Sequence, residues 1–189
     1  MTNSTFSAPH RILHWLIAFT MLFLTLTIFL RLEWMNKYLM SDILLDQLAK
    51  IDVSITKDQS IKIAKVIRGQ MWQWHINAGY LLIVLYACRL GLNLKERGFK
   101  FTTITSSTAS AKEKFQWWLY TIFYICVGGS LLTGMFVIND IGDHELMEDI
   151  HKLSLYYLLS FIVIHFVGVI AAELTDNKNI VSEMISGKN

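Results

Sequence analysis

Four histidines lie in or at the ends of apolar stretches: His14, His75, His151 and His165. An imidazole can ligate a metal, donate or accept a hydrogen bond, or carry a proton, and in a bilayer it needs a partner. His151 and His165 are fourteen residues apart, with an apolar run between them. Fourteen helical residues turn through roughly 1400°, about 40° short of four turns, and rise about 21 Å. A single helix would therefore show two ligands on one face at two depths. His14 and His75 each stand alone near the start of an apolar run.

The elements that must position these side chains are membrane helices. Hydrophobic residues make up 53% of the 189 and charged residues 17%, the balance of a membrane protein rather than a soluble one. The single proline leaves long helices uninterrupted. The expected fold is all-α: an integral membrane four-helix bundle forming one domain over 1–189, with spans at about 12–31, 71–90, 115–138 and 150–173. The first span is not a cleaved signal peptide, because FLRLEWMNK offers no small-residue cleavage site.

The connection between helices 1 and 2, residues 31–68, is extended and partly helical. Residues 41–50 read as a short amphipathic helix with Ile43, Leu44 and Leu48 on its apolar side. Thr56 and Gln59 have capping-box spacing, and a basic amphipathic stretch with Lys57, Lys62, Lys65 and Arg68 follows. The two pieces read as interfacial helices or as a docking platform for a partner protein. The connection after helix 2 is basic and contains the segment TTITSSTAS; the one after helix 3 is acidic. Helix 3 has no histidine and no charge, and its Gly128, Gly129 and Gly134 suit close helix packing or the close approach of a prosthetic group. Residues 1–9 read as a frayed tail, and the chain ends in a polar tail.

Basic residues favour the inner side, so the 2–3 connection lies inside and the 3–4 connection outside. The expected location is the bacterial cytoplasmic (inner) membrane, multi-pass, with both termini cytoplasmic. At matching depths stand His14 with His165, and His75 with His151. Inverting the whole topology leaves these pairs unchanged. Two imidazoles on opposite sides of a planar macrocycle give six-coordinate haem iron, which has no open position and so moves electrons. Zinc would want more donors per site. A proton relay would want intramembrane carboxylates. A metal or proton transporter, or a membrane sensor, is the rival use of such histidines. No CxxCH is present, so a haem here would not be of the covalent c type.

RILHWL at Arg11–Leu16, WHINAGYLL with the trailing CRL at Trp74–Leu90, and the His151/His165 pair resemble the prokaryotic cytochrome b561 and nickel–iron hydrogenase b-type cytochrome family. The resemblance runs through the late segment HFVGVIAAELTDNKNIVSEMI. It implies a membrane cytochrome with two non-covalent b-type haems and His14, His75, His151 and His165 as axial ligands. The implied role is electron transfer between a redox partner and quinone or another acceptor, with a stand-alone quinone oxidoreductase as the alternative. The partner would be a hydrogenase, a dehydrogenase or a c-type cytochrome, the surroundings membrane lipid, and a homodimer is compatible with the reading. The long 1–2 connection is where the chain departs from the shortest members of that family.

Haem propionates would favour cations at the right depth: Arg11 and Arg89 at the inner level, Arg68 and Lys152 at the outer, with Arg89 the best placed. The same residues also read as ordinary flanking cations. His10, behind Pro9, and His144, among carboxylates, read as surface residues, with substitution for His14 and proton uptake at an outer quinone site as their respective alternatives. Glu173 reads as an interfacial carboxylate, with an inner quinone site as the alternative. Trp15, Trp72, Trp74, Trp117 and Trp118 read as interfacial belt residues. Cys88 and Cys126 read as buried small side chains without a disulfide. A net charge of +2 argues for no nucleic acid partner.

Overall fold

A computed structural model describes residues 7–97, 110–175 and 179–187. Among these every regular element is helical: α1 (Ala8–Leu32), α2 (Lys37–Ala49), α3 (Lys57–Arg97), α4 (Ala111–Ile138), α5 (His144–Lys152), α6 (Ser154–Thr175) and α7 (Ile180–Ser186). Four stretches are long and apolar enough to cross a membrane: Ala8–Leu32, Lys57–Lys95, Ala111–Ile138 and His144–Thr175. The protein is thus an all-α membrane protein with four membrane-length helical spans.

Several helix ends differ from the sequence expectation, each for a local reason. α1 starts at Ala8, not at residue 12. Pro9 falls in the first turn, where its missing N–H has no helical partner to lose, so it begins the helix instead of fraying it. The Arg11 amide already bonds the Ser7 carbonyl at 3.1 Å. α3 is one helix of 41 residues. The basic stretch expected to be a separate interfacial helix runs without a break into the apolar span, because nothing between Lys57 and Met71 removes a backbone donor. The expected capping box starts it: the Thr56 amide donates to Gln59 Oε1 at 2.8 Å and the Gln59 amide to Thr56 Oγ1 at 3.3 Å. A second capping box, Ser110 with Glu113, starts α4. Lys112 and Lys114 therefore lie in a helix, not in a connection. Of the TTITSSTAS segment, residues 102–109 lie outside the described residues.

The fourth span is not one regular helix. α5 starts earlier than expected, with Asp143 capping the Leu146 amide at 3.1 Å. At Leu153 the ladder tightens: its amide bonds the Ile150 carbonyl at 3.2 Å, and the Tyr156 amide bonds the Leu153 carbonyl at 3.1 Å. These are i→i−3 bonds of the 3₁₀ kind, and they fall between His151 and His165.

The chain's contacts cluster into two units, Trp15–Tyr86 and Met1–His14 with Ala87–Asn189. In the first, α2 folds back on the start of α3. Ser41 and Ser60 are fully buried there, their hydroxyls 2.5 Å apart, and Ala64 is fully buried one turn on. Lys57 pairs with Asp42 across this hairpin. Leu44 and Leu48 are half-buried, whereas Ile43 is 51% exposed, so the apolar side expected of this helix holds only in part. Large apolar side chains along the spans are open, Phe19 62% and Phe166 61% among them. In a bilayer such side chains meet hydrocarbon, so membrane spans need no large protein core of their own. Cys88 is exposed and Cys126 partly so, which corrects the expected burial; both are free. Thr20 and Thr25 are buried in α1 and spend their hydroxyls on the Leu16 and Met21 carbonyls.

Candidate functional site

Of the four candidate ligands, the structure brings His14 and His165 together. Their ring centroids are 6.1 Å apart, with the planes tilted by 46°. A metal–imidazole bond of about 2.0 Å plus about 1.1 Å to the ring centre puts two trans ligands roughly 6.2 Å apart. A gap of this size has room for a shared ion and is also the spacing of an ordinary ring contact. His165 lies nearly parallel to Phe161, centroids 5.6 Å apart, and Phe161 stacks on Phe123 at 3.5 Å. Phe161 of α6, itself backed by Phe123 of α4, thus supports the ring from one side.

Among the described residues no group of three His, Cys, Asp or Glu could hold a bare metal ion. A pair of imidazoles alone suits an iron that brings four equatorial ligands of its own, so the donor set fits a haem better than zinc.

His75 lies in the other unit, and its tautomer can be read from its partner. Thr27, 2% exposed, donates its hydroxyl proton to the Leu24 carbonyl at 2.6 Å. The Thr27 oxygen is then the acceptor at 2.8 Å from His75 Nδ1, so Nδ1 carries the proton and Nε2 the lone pair. Trp72 stacks on the same ring, centroids 4.4 Å apart and planes within 2°, and Arg31 lies over Trp72 at 4.1 Å. Trp72 is therefore more than a belt residue: it fixes the plane of His75.

His151 repeats this logic with different groups. Its Nδ1 is 2.9 Å from the Ser130 carbonyl, which can only accept, and 3.4 Å from the Thr133 hydroxyl. Nδ1 again holds the proton and Nε2 the lone pair. Gly134 is the reason the ring fits against α4. A Cβ there would lie 3.0 Å from His151 Cε1. Tyr157 ties the same place down by donating to Ser130 Oγ at 3.0 Å. At Gly79, one turn from His75, an added Cβ would meet nothing within 4 Å.

The cations divide. Arg89 donates from Nη1 to the His10 carbonyl at 2.9 Å and from Nε to the Tyr124 hydroxyl at 3.4 Å. Arg11 packs its guanidinium against Gly187, just past α7. Lys152 pairs with Glu148 at 3.3 Å and Asp149 at 3.0 Å. Arg68 is half-buried and makes no ion pair among the described residues.

His10 corrects the sequence reading: it is 2% exposed, not a surface residue. Its Nε2 is 3.1 Å from Asn93 Oδ1, and Asn93 Nδ2 donates to the Tyr124 hydroxyl at 3.0 Å. His10, Arg89, Asn93 and Tyr124 form one polar cluster a helical turn from His14. Glu173 accepts the Asn179 and Val181 amides at 2.9 and 3.2 Å and so caps α7. His144 is exposed beside Asp140 at 3.1 Å, as expected. Thr27, Ser130 and Thr133 escaped sequence reading, since nothing in a hydroxyl or a carbonyl's sequence context marks it as a histidine's partner.

Comparison with curated proteins gave no match, and comparison with solved structures gave none either. The sequence profile described as prokaryotic cytochrome b561 matches residues 5–187, nearly the whole chain, and the chain therefore belongs to the prokaryotic cytochrome b561 family.

Proposed function

We propose that the protein carries electrons across the membrane through two b-type haems, one held by His14 and His165 and the other by His75 and His151. Membership of the family makes it a b-type haem electron-transfer protein of the membrane. The number of haems and the ligand pairs are the finer reading. The observation that carries it is the 6.1 Å separation of the His14 and His165 rings, the span of two trans ligands on one ion. The Nδ1 hydrogen bonds that orient His75 and His151 support the second site.

When bound between two imidazoles, haem supplies one-electron transfer with no open iron position. The chain's own residues do the rest. Thr27 and the Ser130 carbonyl hold the imidazole protons on Nδ1, so Nε2 is the nitrogen that would ligate. Trp72 and Phe161 limit ring rotation. Arg89 is held at a span's end by the His10 carbonyl and Tyr124, a position from which a guanidinium can pair with a haem carboxylate. Arg11 and Arg68 are weaker candidates for that pairing.

Electrons would pass between a redox partner, such as a hydrogenase, a dehydrogenase or a c-type cytochrome, and quinone or another acceptor. The membrane is the bacterial inner membrane, with both termini cytoplasmic, supported by the basic 2–3 and acidic 3–4 connections. The experiment is haem analysis of the purified protein with its absorption and low-temperature magnetic spectra. Two haems per chain with bis-imidazole low-spin signatures are expected. One haem per chain refutes the two-site reading, and a colourless, folded protein refutes both.

A further inference from the structure

The hairpin of α2 with the start of α3 holds none of the four candidate haem ligands, yet it is built as a rigid projection. From Lys57 to Met71 the helix rises roughly 21 Å before the apolar span begins. Because α3 is continuous, this stretch leaves the bilayer along the helix axis. It is stiffened on one side by the buried Ser41–Ser60 contact and Ala64. At 100° per residue, Lys62 and Val66 point away from that seam, with Lys65 beside them.

That outward face is basic and partly apolar. Val66 is 72% exposed, and Ile63 is 41% exposed at its margin. Lys62 and Lys65 are exposed and make no ion pair among the described residues. The carboxylates of α2 do not compensate them: Asp42 is taken by Lys57 and Asp46 by Lys50. Along 57–70 the only carboxylate is Asp58, which falls between Lys62 and Lys65 on this face; with Lys57 paired to Asp42, the excess cations are Lys62, Lys65 and Arg68 against that one carboxylate.

We propose that this face docks a soluble, acidic electron-transfer protein, delivering or taking electrons at the His75 end of the molecule. The inference rests on the two-haem reading above. Lys65 is ten residues from His75, roughly 15 Å along the axis. An excess of cations around a small apolar patch is what a transient redox complex uses: charge steers the encounter, and a modest contact lets it part. A second copy of the chain would set lysines against lysines, and a lipid surface lies at the other end of the projecting stretch.

The test uses the haem-loaded protein in neutral-lipid nanodiscs, reduced and freed of reductant. It is mixed with oxidised plastocyanin, an acidic copper protein, or with a basic mitochondrial cytochrome c. One electron leaves the reduced protein for each Cu(II) converted to Cu(I). K62E/K65E should slow copper reduction at low ionic strength by at least about fivefold and K62Q/K65Q by less, with the difference vanishing in high salt. Reduction of the basic acceptor should speed up. Carbodiimide cross-links between plastocyanin and Lys62 or Lys65 should form in the unmodified protein and be lost in the variants.

Rates and cross-links that ignore the substitutions overturn the docking proposal while leaving the haem reading intact. So does an altered oligomeric state, which would make the face a self-interface. Loss only of binding to vesicles of anionic lipid overturns it too. Absence of haem from the unmodified protein overturns both readings.

Discussion

A histidine becomes a ligand through the atom that holds its other nitrogen. Thr27 makes the case most clearly, because its proton is already spent on Leu24, which forces it to accept from His75. Thr27→Val removes the acceptor at nearly constant volume. Haem should leave that site about 10–100-fold more readily, as for other groups behind a metal ligand, measured by transfer to a scavenging apoprotein. Thr27→Ser should restore retention; equal loss in both variants would mean that packing, not the proton, matters. Gly134→Ala tests His151 the same way. Its Cβ would press His151 Cε1 at 3.0 Å while Nδ1 is tied to Ser130. Overpacking of this kind costs about 1–3 kcal/mol, and one haem's spectrum should broaden or vanish while the other stays. An unchanged pair of spectra would contradict the assignment of His151. As candidate ligands the four histidines were legible in the sequence because imidazoles in apolar runs stand out. Their partners were not, since a backbone carbonyl at Ser130 has no sequence signal at all.

Among the elements, the fourth span shows what periodicity can and cannot reveal. A uniform helix leaves His151 and His165 about 40° out of line. Each residue in 3₁₀ geometry turns roughly 20° further than in α geometry, so two such residues would recover the difference. The tightened turn at Leu153 lies where that correction is needed. No proline or glycine marks it, so the sequence reads as one helix. The α2/α3 hairpin gives the reverse lesson: its capping box was legible at Thr56 and Gln59, but its continuity with the span was not. Charge pattern shows where the apolar part begins, not whether the helix stops there. The hairpin is fastened by small side chains. Ser60→Leu should overpack the fully buried contact with Ser41, destabilising the hairpin by about 1–3 kcal/mol and raising amide exchange across residues 37–49. Ser41→Ala should cost less, about 1 kcal/mol or below, because Ser60 still donates to the Lys57 carbonyl. Equal exchange in both variants and the parent would show that this contact does not hold α2 in place.

For the whole molecule, composition and apolar run length were enough to read four spans, because a bilayer demands long apolar helices and little else. Sidedness rests on charge alone. In a background lacking Cys88 and Cys126, thiols placed at Asp52 and Asp143 should react with an impermeant reagent from outside intact cells. Thiols at Ser110 and Ser186 should react only after permeabilisation. The reverse pattern would invert the protein in the membrane without altering which histidines share a depth. The central claim is the pairing itself, and haem counting in single-histidine variants tests it most directly. Each of His14, His75, His151 and His165 is replaced by alanine, and the remaining haem is identified by its potential and magnetic spectrum. The account predicts that His14→Ala and His165→Ala lose the same haem and that His75→Ala and His151→Ala lose the other. Loss of one haem in common by His14→Ala and His151→Ala, and of the other by His75→Ala and His165→Ala, would contradict it.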